Sequence, residues 1–384
     1  MFRRWLPLEK PSFILLGPRR VGKTTFLKQN YKDYEYITLD DFDYLTLAQD
    51  DPKAVVNGKT HLIIDEIQRV PKLTIAVKYA IDESKAKIIM TGSSKIGLLD
   101  SSADSLAGRI KFIHLPPSCW GECDGDPTHK IFEEQAPPLQ IKKANREISE
   151  FIKYGGFPEV VSQKTTKAKT DILKNYKNTY FTRDLAMISN LENVSGLLAI
   201  LNYYVISLGS LTQVSHFRNE AGVSHPTAQK YLNVIYQSDL GFKLLGYQYG
   251  PAKRHLKSAK SYFCDTGIIE ALGIDCSQGQ KLENFVISEL EKRRKLGFIK
   301  TDQFYYYQSI GGSEIDLIFE IKNTVYAIEI KATKNPQKKD LRNLKDFAAN
   351  ISKKTMCYLF YTGEAYKELD GVKLIPIASL YRGV

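Results

Sequence analysis

The sequence has few cysteines and no long hydrophobic run. Its five cysteines form no paired framework, and the closest two, Cys119 and Cys123, lack the second cysteine pair or the spaced histidine pair of a zinc site. No run approaches the roughly 18 apolar residues of a membrane span, and the apolar stretch before Gly17 is too short for the core of a signal peptide. We therefore expect a cytoplasmic protein with reduced thiols and no membrane partner.

Acidic residues are also in the minority, and long polar segments are scarce. Lys and Arg outnumber Asp and Glu by 54 to 43, which gives a net charge of +11. Such an excess favours a polyanionic partner such as nucleic acid, although it can also serve solubility alone. No segment is polar enough for long enough to predict extended disorder. At 384 residues the chain is expected to fold as several domains.

A phosphate-binding loop follows the first apolar run. Residues 12–16 have the pattern of a buried parallel strand, and GPRRVGKTT follows at once, before a helical pattern begins. In the spacing G-x-x-x-x-G-K-T, backbone N–H groups can curl around phosphates, Lys23 can contact the β and γ phosphates of ATP, and Thr24 can bind magnesium. The residues predicted to bind the nucleotide in this loop are Gly17, Pro18, Arg19, Arg20, Val21, Gly22, Lys23, Thr24 and Thr25.

Two further strand ends supply candidate catalytic groups. The apolar strand in HLIIDEIQRVP ends in Asp65 and Glu66, where Asp65 can hold magnesium and Glu66 can polarise the attacking water. The strand in KIIMTGSS ends near Ser93 and Ser94, either of which could sense the γ-phosphate. A turn with serine caps explains these two serines equally well.

Together, GPRRVGKTT, HLIIDEIQRVP, TGSSKIGLL and SLAGRI resemble the prokaryotic AAA+-type ATPases that carry a C-terminal domain similar to restriction endonucleases. The segments YGGFPEVV, YFTRDL and KSAKSYFCDTGII are similar to other recurring blocks of that family, so the likeness covers nearly the whole chain. It implies an α/β fold with a five-stranded parallel AAA+ sheet, a helical lid, a helix-turn-helix segment and an endonuclease-like domain. Arg109, just before a strand, is then a candidate arginine finger for the same or a neighbouring subunit; an ordinary solvated arginine is the alternative.

The middle of the chain has the pattern of a winged helix. We divide the chain into an ATPase core at 1–145, a helical lid or linker at 146–192, a winged-helix segment at 193–275 and an endonuclease-like domain at 276–384. A helix that begins after Ser224 would expose Thr227, Gln229 and Lys230, as a recognition helix does. A strand hairpin follows, with the basic residues Lys253, Arg254, His255, Lys257 and Lys260. DNA is the expected partner, and a packing module with a solvated basic edge is the alternative.

The C-terminal region carries a second candidate site. Alternate residues of a strand share a face, so Glu329 and Lys331 point the same way. Asp316, across a hairpin, can converge with Glu329 on a magnesium ion, with Glu283 as an outer ligand and Lys331 steadying the attacking water or the phosphate. This set resembles the PD-(D/E)xK nuclease motif as E…D…E-x-K, although the proline of the motif's name is missing before Asp316. An ion pair on a polar strand face gives the same E-x-K letters.

Two functions fit these patterns. The first is a magnesium-dependent ATPase that acts on DNA, with Mg²⁺- or Mn²⁺-dependent cleavage of branched or damaged DNA by the C-terminal domain. The second is a nucleotide-dependent switch or scaffold that binds a partner protein and contains an inactive nuclease-like domain. Both use ATP and Mg²⁺ as cofactors, and both are compatible with a homo-oligomer.

Overall fold

The computed structural model describes residues 2–9, 12–93, 109–185, 193–247, 258–309 and 311–384. Several residues named above lie outside these ranges: Ser94, Lys253, Arg254, His255 and Lys257.

A parallel sheet forms the N-terminal part of the fold. Its strands are β1 (Phe13–Leu16), β2 (Glu35–Thr38), β3 (His61–Asp65), β4 (Lys87–Gly92) and β5 (Lys111–His114). Their order is β2-β3-β4-β1-β5, and every neighbouring pair is parallel. The five-stranded parallel sheet predicted from the sequence is confirmed. All strands therefore end at the same edge, which is where ligands bind in open parallel sheets.

Helices cover both faces of this sheet, which explains the continuous apolar runs of its central strands. They are α1 (Lys23–Asn30), α2 (Phe42–Asp50), α3 (Pro52–Val56) and α4 (Leu73–Ser84). Leu15 belongs to the same buried cluster as Phe26 and Leu27 of α1. Its neighbour Ile14 belongs to the cluster that contains Val77 of α4. Alternate residues of β1 thus fill two separate cores.

A helical region follows the first sheet. It comprises α5 (Pro138–Tyr154), α6 (Pro158–Val161), α7 (Thr166–Tyr176) and a π-helical segment (Lys177–Asp184). Helix α5 ends at Tyr154, directly before the glycine pair Gly155 and Gly156. A Cβ atom on Gly156 would lie 2.2 Å from the carbonyl oxygen of Ser118. This close approach requires glycine and fixes the helical region against the segment after β5.

Three helices and a strand pair form the middle region. They are α8 (Val194–Ile206), α9 (Val214–Ala221), α10 (His225–Gln237), β6 (Gly241–Gly246) and β7 (Lys260–Phe263). Ser224 caps α10, because its hydroxyl accepts a hydrogen bond from the Thr227 N–H at 3.3 Å. Tyr231, Leu232 and Ile235 point into the core, with exposures of 3% or less. This packing leaves the opposite side of α10 at the surface.

The C-terminal region is built on a second sheet. Its elements are α11 (Gly267–Leu272), α12 (Gln278–Lys295), β8 (Tyr305–Gln308), β9 (Glu314–Ile321), β10 (Thr324–Lys331), α13 (Arg342–Ala349), β11 (Lys354–Tyr361), β12 (Lys367–Leu369) and β13 (Val372–Pro376). The strand order is β12-β13-β11-β10-β9-β8-β6-β7. Strands β6 and β7, from the segment predicted as a winged helix, therefore extend this sheet. The domain limits given above stay predictions.

The middle region also packs on the first sheet. Phe26 and Leu27 of α1 share a buried cluster with Tyr204 of α8, Ile235 of α10 and Leu240. His114 Nδ1, at the end of β5, lies 3.4 Å from Asp239 Oδ2, between α10 and β6. Among the residues that the structure describes, no helix has the length and hydrophobicity needed to cross a membrane.

Candidate functional site

The loop between β1 and α1 has a backbone suited to phosphate. Gly17 and Gly22 have φ angles of 150° and 89°, which favour glycine. A Cβ atom on Gly17 would lie 2.2 Å from the carbonyl oxygen of Leu115. Helix α1 begins at Lys23, so its free N–H groups and the positive end of its dipole face the loop. Val21 is fully buried, and Thr25 lies in the first turn of α1.

Lys23 is buried inside this loop. Its Nζ donates to the carbonyl oxygens of Gly17 and Pro18, at 2.8 and 2.9 Å. Burial lowers the pKa of Lys23 to about 8, although Glu66 and Asp65 act in the opposite direction. The ammonium group therefore has neutral acceptors here, and phosphate oxygens would be stronger partners for it.

Thr24 and Asp65 meet at the end of β3. The Thr24 hydroxyl donates to Asp65 Oδ2 at 2.7 Å, and the Tyr36 hydroxyl donates to the same oxygen at 2.6 Å. The other oxygen, Oδ1, accepts the N–H of Glu66 at 3.0 Å. A hydroxyl and a carboxylate are ligands that Mg²⁺ prefers, so this pair fits a magnesium ion. Sequence reasoning missed Tyr36, which lies two residues before Thr38, the partner of Asp65 in the strand register.

Glu66 and Ser93 also come together at this edge. Glu66 has a left-handed backbone, with φ of 59°, and its Oε2 accepts a hydrogen bond from Gln68 Nε2. Gln68 Nε2 also lies 3.2 Å from the hydroxyl oxygen of Ser93, which is itself 3.5 Å from Glu66 Oε2. The side chains of Glu66, Gln68 and Ser93, just after β3 and β4, thus contact one another. Sequence reasoning did not single out Gln68.

The helical region contacts the loop through Arg20. The Arg20 guanidinium lies 3.0 Å from Glu159 Oε2 of α6 and 5.0 Å from the ring centroid of Tyr176 of α7. The Tyr176 hydroxyl donates to the same Glu159 oxygen at 3.3 Å. A predicted nucleotide-binding residue therefore also links the loop to α6 and α7.

Arg109 lies at the other end of the first sheet. It precedes β5, whose first residue, Lys111, is level with Phe13 at the start of β1, whereas the loop follows the end of β1. Arg109 Nε donates to both carboxylate oxygens of Asp82, at 2.8 and 2.9 Å. The length of the strands therefore separates Arg109 from the loop of its own chain, contrary to one of the two predicted arrangements. A role at the nucleotide of a neighbouring copy stays a prediction.

A second group of charged side chains lies where α12 meets the C-terminal sheet. We call it the acidic cluster, and its members are Lys260, Glu283, Glu314, Asp316, Glu329 and Lys331. Lys331 Nζ contacts Glu329 Oε1 at 2.6 Å, and Lys260 Nζ donates to Glu314 Oε1. Asp316 Oδ2 accepts the N–H of Ile330 at 2.8 Å. The pairing of Glu329 with Lys331 agrees with both explanations of the E-x-K letters.

The carboxylates of the acidic cluster influence one another. Glu329 is 4% exposed, and its Oε2 is buried without a hydrogen-bond partner. Burial raises the pKa of Glu329, and the charge of Asp316 raises it further. Desolvation and Asp316 likewise raise the pKa of Glu283. Like charges held close together in a poorly hydrated place explain both directions.

The acidic cluster does not have the arrangement of a metal site. Within the described ranges, no group of three or more His, Cys, Asp or Glu side chains is placed to hold a metal ion. The prediction that Glu283, Asp316 and Glu329 converge on magnesium is not supported by this arrangement. The ammonium groups of Lys260 and Lys331 pair with carboxylates there instead.

Comparison with known proteins finds relatives along most of the chain. An uncharacterized protein of Mycobacterium tuberculosis is 26% identical over 341 residues, which cover 85% of this chain and 71% of the relative. An uncharacterized protein of Methanocaldococcus jannaschii is 27% identical over 401 residues, covering 96% and 87%. Among solved structures, the Walker-type ATPase PABY2304 of Pyrococcus abyssi aligns with a TM-score of 0.42 and 15% identity, over 69% of this chain and 92% of that chain.

Family models match three consecutive parts of the chain. Residues 145–278 match a domain of unknown function (DUF8612), and residues 278–380 match another (DUF4143). Residues 9–123 match the AAA domain. This last match contains the loop, Asp65, Glu66 and Ser93, and it supports a P-loop ATPase domain that binds and hydrolyses nucleotide.

Proposed function

We propose that this chain is a magnesium-dependent ATPase that acts on DNA. The observation that carries the ATPase half is the 2.7 Å hydrogen bond from Thr24 to Asp65, next to an ammonium group buried in a glycine-containing loop. Glycine-rich backbone, lysine, hydroxyl and carboxylate are the groups that hold a metal-bound triphosphate in P-loop proteins. The AAA-domain match covers all of them.

Each residue has a definable task in hydrolysis. Magnesium, when bound, neutralises charge on the β and γ phosphates. Thr24 and Asp65 are the residues that would hold it, and Tyr36 keeps Asp65 in place. Lys23 would exchange its bonds with loop carbonyls for bonds with phosphate oxygens. Glu66, held by Gln68, would accept the proton of the attacking water.

The DNA half is supported by α10 and by the net charge. Capping at Ser224 and burial of one side of α10 leave Lys230 exposed and Thr227 and Gln229 half-buried at the surface. A helix that presents such side chains suits the major groove. The charge of +11 favours attraction to phosphate, with a steep dependence on salt.

ATP turnover with and without DNA tests this proposal. Turnover should rise with single-stranded, duplex or four-way junction DNA, and Lys23→Ala should abolish it. Lys32→Ala is the matched control, because Lys32 is an exposed lysine just after α1. If the Lys23→Ala variant hydrolysed ATP as fast as the wild type, the ATPase part of the proposal would be rejected. Turnover that no DNA changes, without salt-dependent DNA binding, would instead favour the nucleotide switch that binds a partner protein.

Cleavage of DNA by the acidic cluster is the second candidate function. The buried Glu329 Oε2 without a hydrogen-bond partner favours it, because an unsatisfied buried carboxylate oxygen destabilises the fold and a catalytic role is one reason for keeping it. Scission of junction DNA in Mg²⁺ or Mn²⁺ should be lost in Asp316→Asn and Lys331→Met but kept in Lys23→Ala. Absence of scission in the wild type on every structured DNA would reject this function.

A further inference from the structure

Lys260 is an internal cation of the acidic cluster. Its side chain is 4% exposed, and its Nζ donates to Glu314 Oε1. Burial lowers the pKa of Lys260, but Glu283, Glu314 and Asp316 raise it, and the net effect is an increase. The amine therefore stays protonated among these carboxylates. The sequence pattern instead predicts Lys260 in the basic strand hairpin of the winged-helix segment.

The strand that carries Lys260 is held firmly against the acidic cluster. Tyr262, two residues further along β7, is fully buried, and its hydroxyl donates to Glu283 Oε1 at 2.7 Å. A Cβ atom on Gly209 would lie 2.8 Å from that same oxygen. Lys260 Nζ lies 5.6 Å from the ring centroid of Tyr306. These contacts tie Glu283 to β7 and place the Lys260 ammonium beside the Tyr306 ring.

An ammonium group in this position competes with a divalent metal ion. Mg²⁺ and Ca²⁺ bind several oxygen ligands at about 2.0 to 2.6 Å. Lys260 Nζ pairs with Glu314 and interacts electrostatically with Glu283 and Asp316. A divalent ion among the same carboxylates would therefore be repelled by the ammonium group in this poorly hydrated site. Lys260 thus balances part of the negative charge of the carboxylates when no metal ion is bound.

We propose that Lys260 is the built-in counter-ion of the acidic cluster and that a divalent metal ion binds there only when the Lys260 ammonium is displaced. This accounts for three neighbouring carboxylates, on Glu283, Asp316 and Glu329, that form no metal site. The proposal rests on the second candidate function, because it concerns the same cluster and states what controls its metal. It makes Lys260 a positioning residue, which acts through the carboxylates.

Manganese binding, read by electron paramagnetic resonance of free Mn²⁺, tests the proposal. The chain of 384 residues is used without ATP or DNA and carries Thr24→Ala and Asp65→Asn, which remove the metal ligands expected at the loop. In this background, Lys260→Met should gain one Mn²⁺ site at least about tenfold tighter than any in the parent, because a like charge leaves a buried site. Adding Asp316→Asn should abolish the gain.

Two control variants separate charge from packing. Lys353→Met removes a lysine that pairs at 2.6 Å with Glu320, at the other end of β9, and it should gain no site. Lys260→Arg keeps the positive charge and should also gain none. Thermal unfolding is recorded for each variant. If Lys260→Met does not fold, Lys260→Gln replaces it with the same expectation, since its amide can still donate to Glu314.

Two results would overturn the proposal. One is an equally tight Mn²⁺ site in the parent and in the neutral Lys260 variant, removed in both by Asp316→Asn. The other is a folded neutral variant that gains no site. Because neither DNA nor strand scission enters the measurement, a failure of the cleavage function is distinguishable from a failure of this inference.

Discussion

Arg4 donates from its guanidinium to the carbonyl oxygen of Val21 in the phosphate-binding loop, at 2.6 Å. The same guanidinium donates to the carbonyl oxygen of Pro116 at 2.7 Å and to Glu122 Oε1 at 2.8 Å. Both charged side chains are buried, at 9% and 1% exposure. The segment before β1 thus fastens the loop to the segment after β5.

Replacing Arg4 by methionine should destabilise the protein and weaken ATP binding. The variant leaves Glu122 as a buried carboxylate without its cation, which costs about 3–5 kcal/mol, and it frees the Val21 carbonyl. Urea unfolding and nucleotide titration measure the two effects. Arg3→Met is the control, because Arg3 is 85% exposed and lies 3.9 Å from an exposed Asp126, so its loss should cost less than about 1 kcal/mol. Equal unfolding midpoints for the two variants would contradict the prediction.

The residues that the sequence predicted and the residues that it missed differ in a physical way. Gly22, Lys23 and Asp65 were predictable because backbone geometry and strand periodicity are local, and parallel strands must end at one edge. The role of Arg4 was not predictable, because its partner Glu122 is 118 positions away. Nothing in the local sequence around either residue indicates this ion pair. The same holds for Lys260, which is 54 positions from Glu314.

The second sheet illustrates the same limit. The alternation of side chains along a strand predicts β9 and β10. It also predicts that Glu329 and Lys331 lie on the same face of β10. That β6 pairs with β8, at Leu245 and Tyr305, depends on long-range packing instead. Periodicity fixes which face a side chain occupies, but it does not fix which distant strand becomes the neighbour.

Lys292 should be essential for the stability of the whole fold. Its Nζ donates to Asp265 Oδ2 and Glu289 Oε1, both at 2.8 Å, and to the carbonyl oxygen of Ser118 at 3.1 Å. Both carboxylates have no exposed surface. Lys292→Met would leave them buried with less positive charge, at a cost of about 3–5 kcal/mol.

Urea unfolding again measures this effect, and Lys130→Met is the matched control. Lys130 pairs at 2.9 Å with Glu133, and both side chains are at least 60% exposed, so its removal should change stability by less than about 1 kcal/mol. If Lys292→Met lowers the free energy of unfolding no more than Lys130→Met does, the ion pairs of Lys292 with Asp265 and Glu289 do not stabilise the fold.

Arg109 should leave nucleotide binding within its own chain unchanged. Because Arg109 pairs with Asp82 at the far end of the strands, Arg109→Ala should bind ATP with the affinity of the wild type. If Arg109 serves a neighbouring copy, its variant should nevertheless hydrolyse ATP more slowly. Mixing Arg109→Ala with Lys23→Ala chains should then restore part of the turnover, since each mixed contact can supply one intact loop and one intact arginine. A clear loss of ATP affinity in Arg109→Ala would contradict this arrangement.

His129 should make the fold sensitive to mild acid. It is 5% exposed, its backbone carbonyl accepts the N–H of Val384 at 2.9 Å, and its Nε2 is buried without a hydrogen-bond partner. Burial lowers the pKa of His129 below its usual 6.5. Between the lowered pKa and 6.5 the unfolded chain binds more protons than the folded one, so stability rises with pH in this window.

The contribution of His129 is therefore complete above about pH 6.5 and is lost as pH falls through the lowered pKa. His129→Gln, which cannot take up the proton, should flatten the decline of the unfolding midpoint between about pH 7 and pH 5. His216→Gln should leave the decline unchanged, because His216 is exposed on α9. Parallel pH profiles for the wild type and His129→Gln would mean that protonation of His129 does not limit stability in acid.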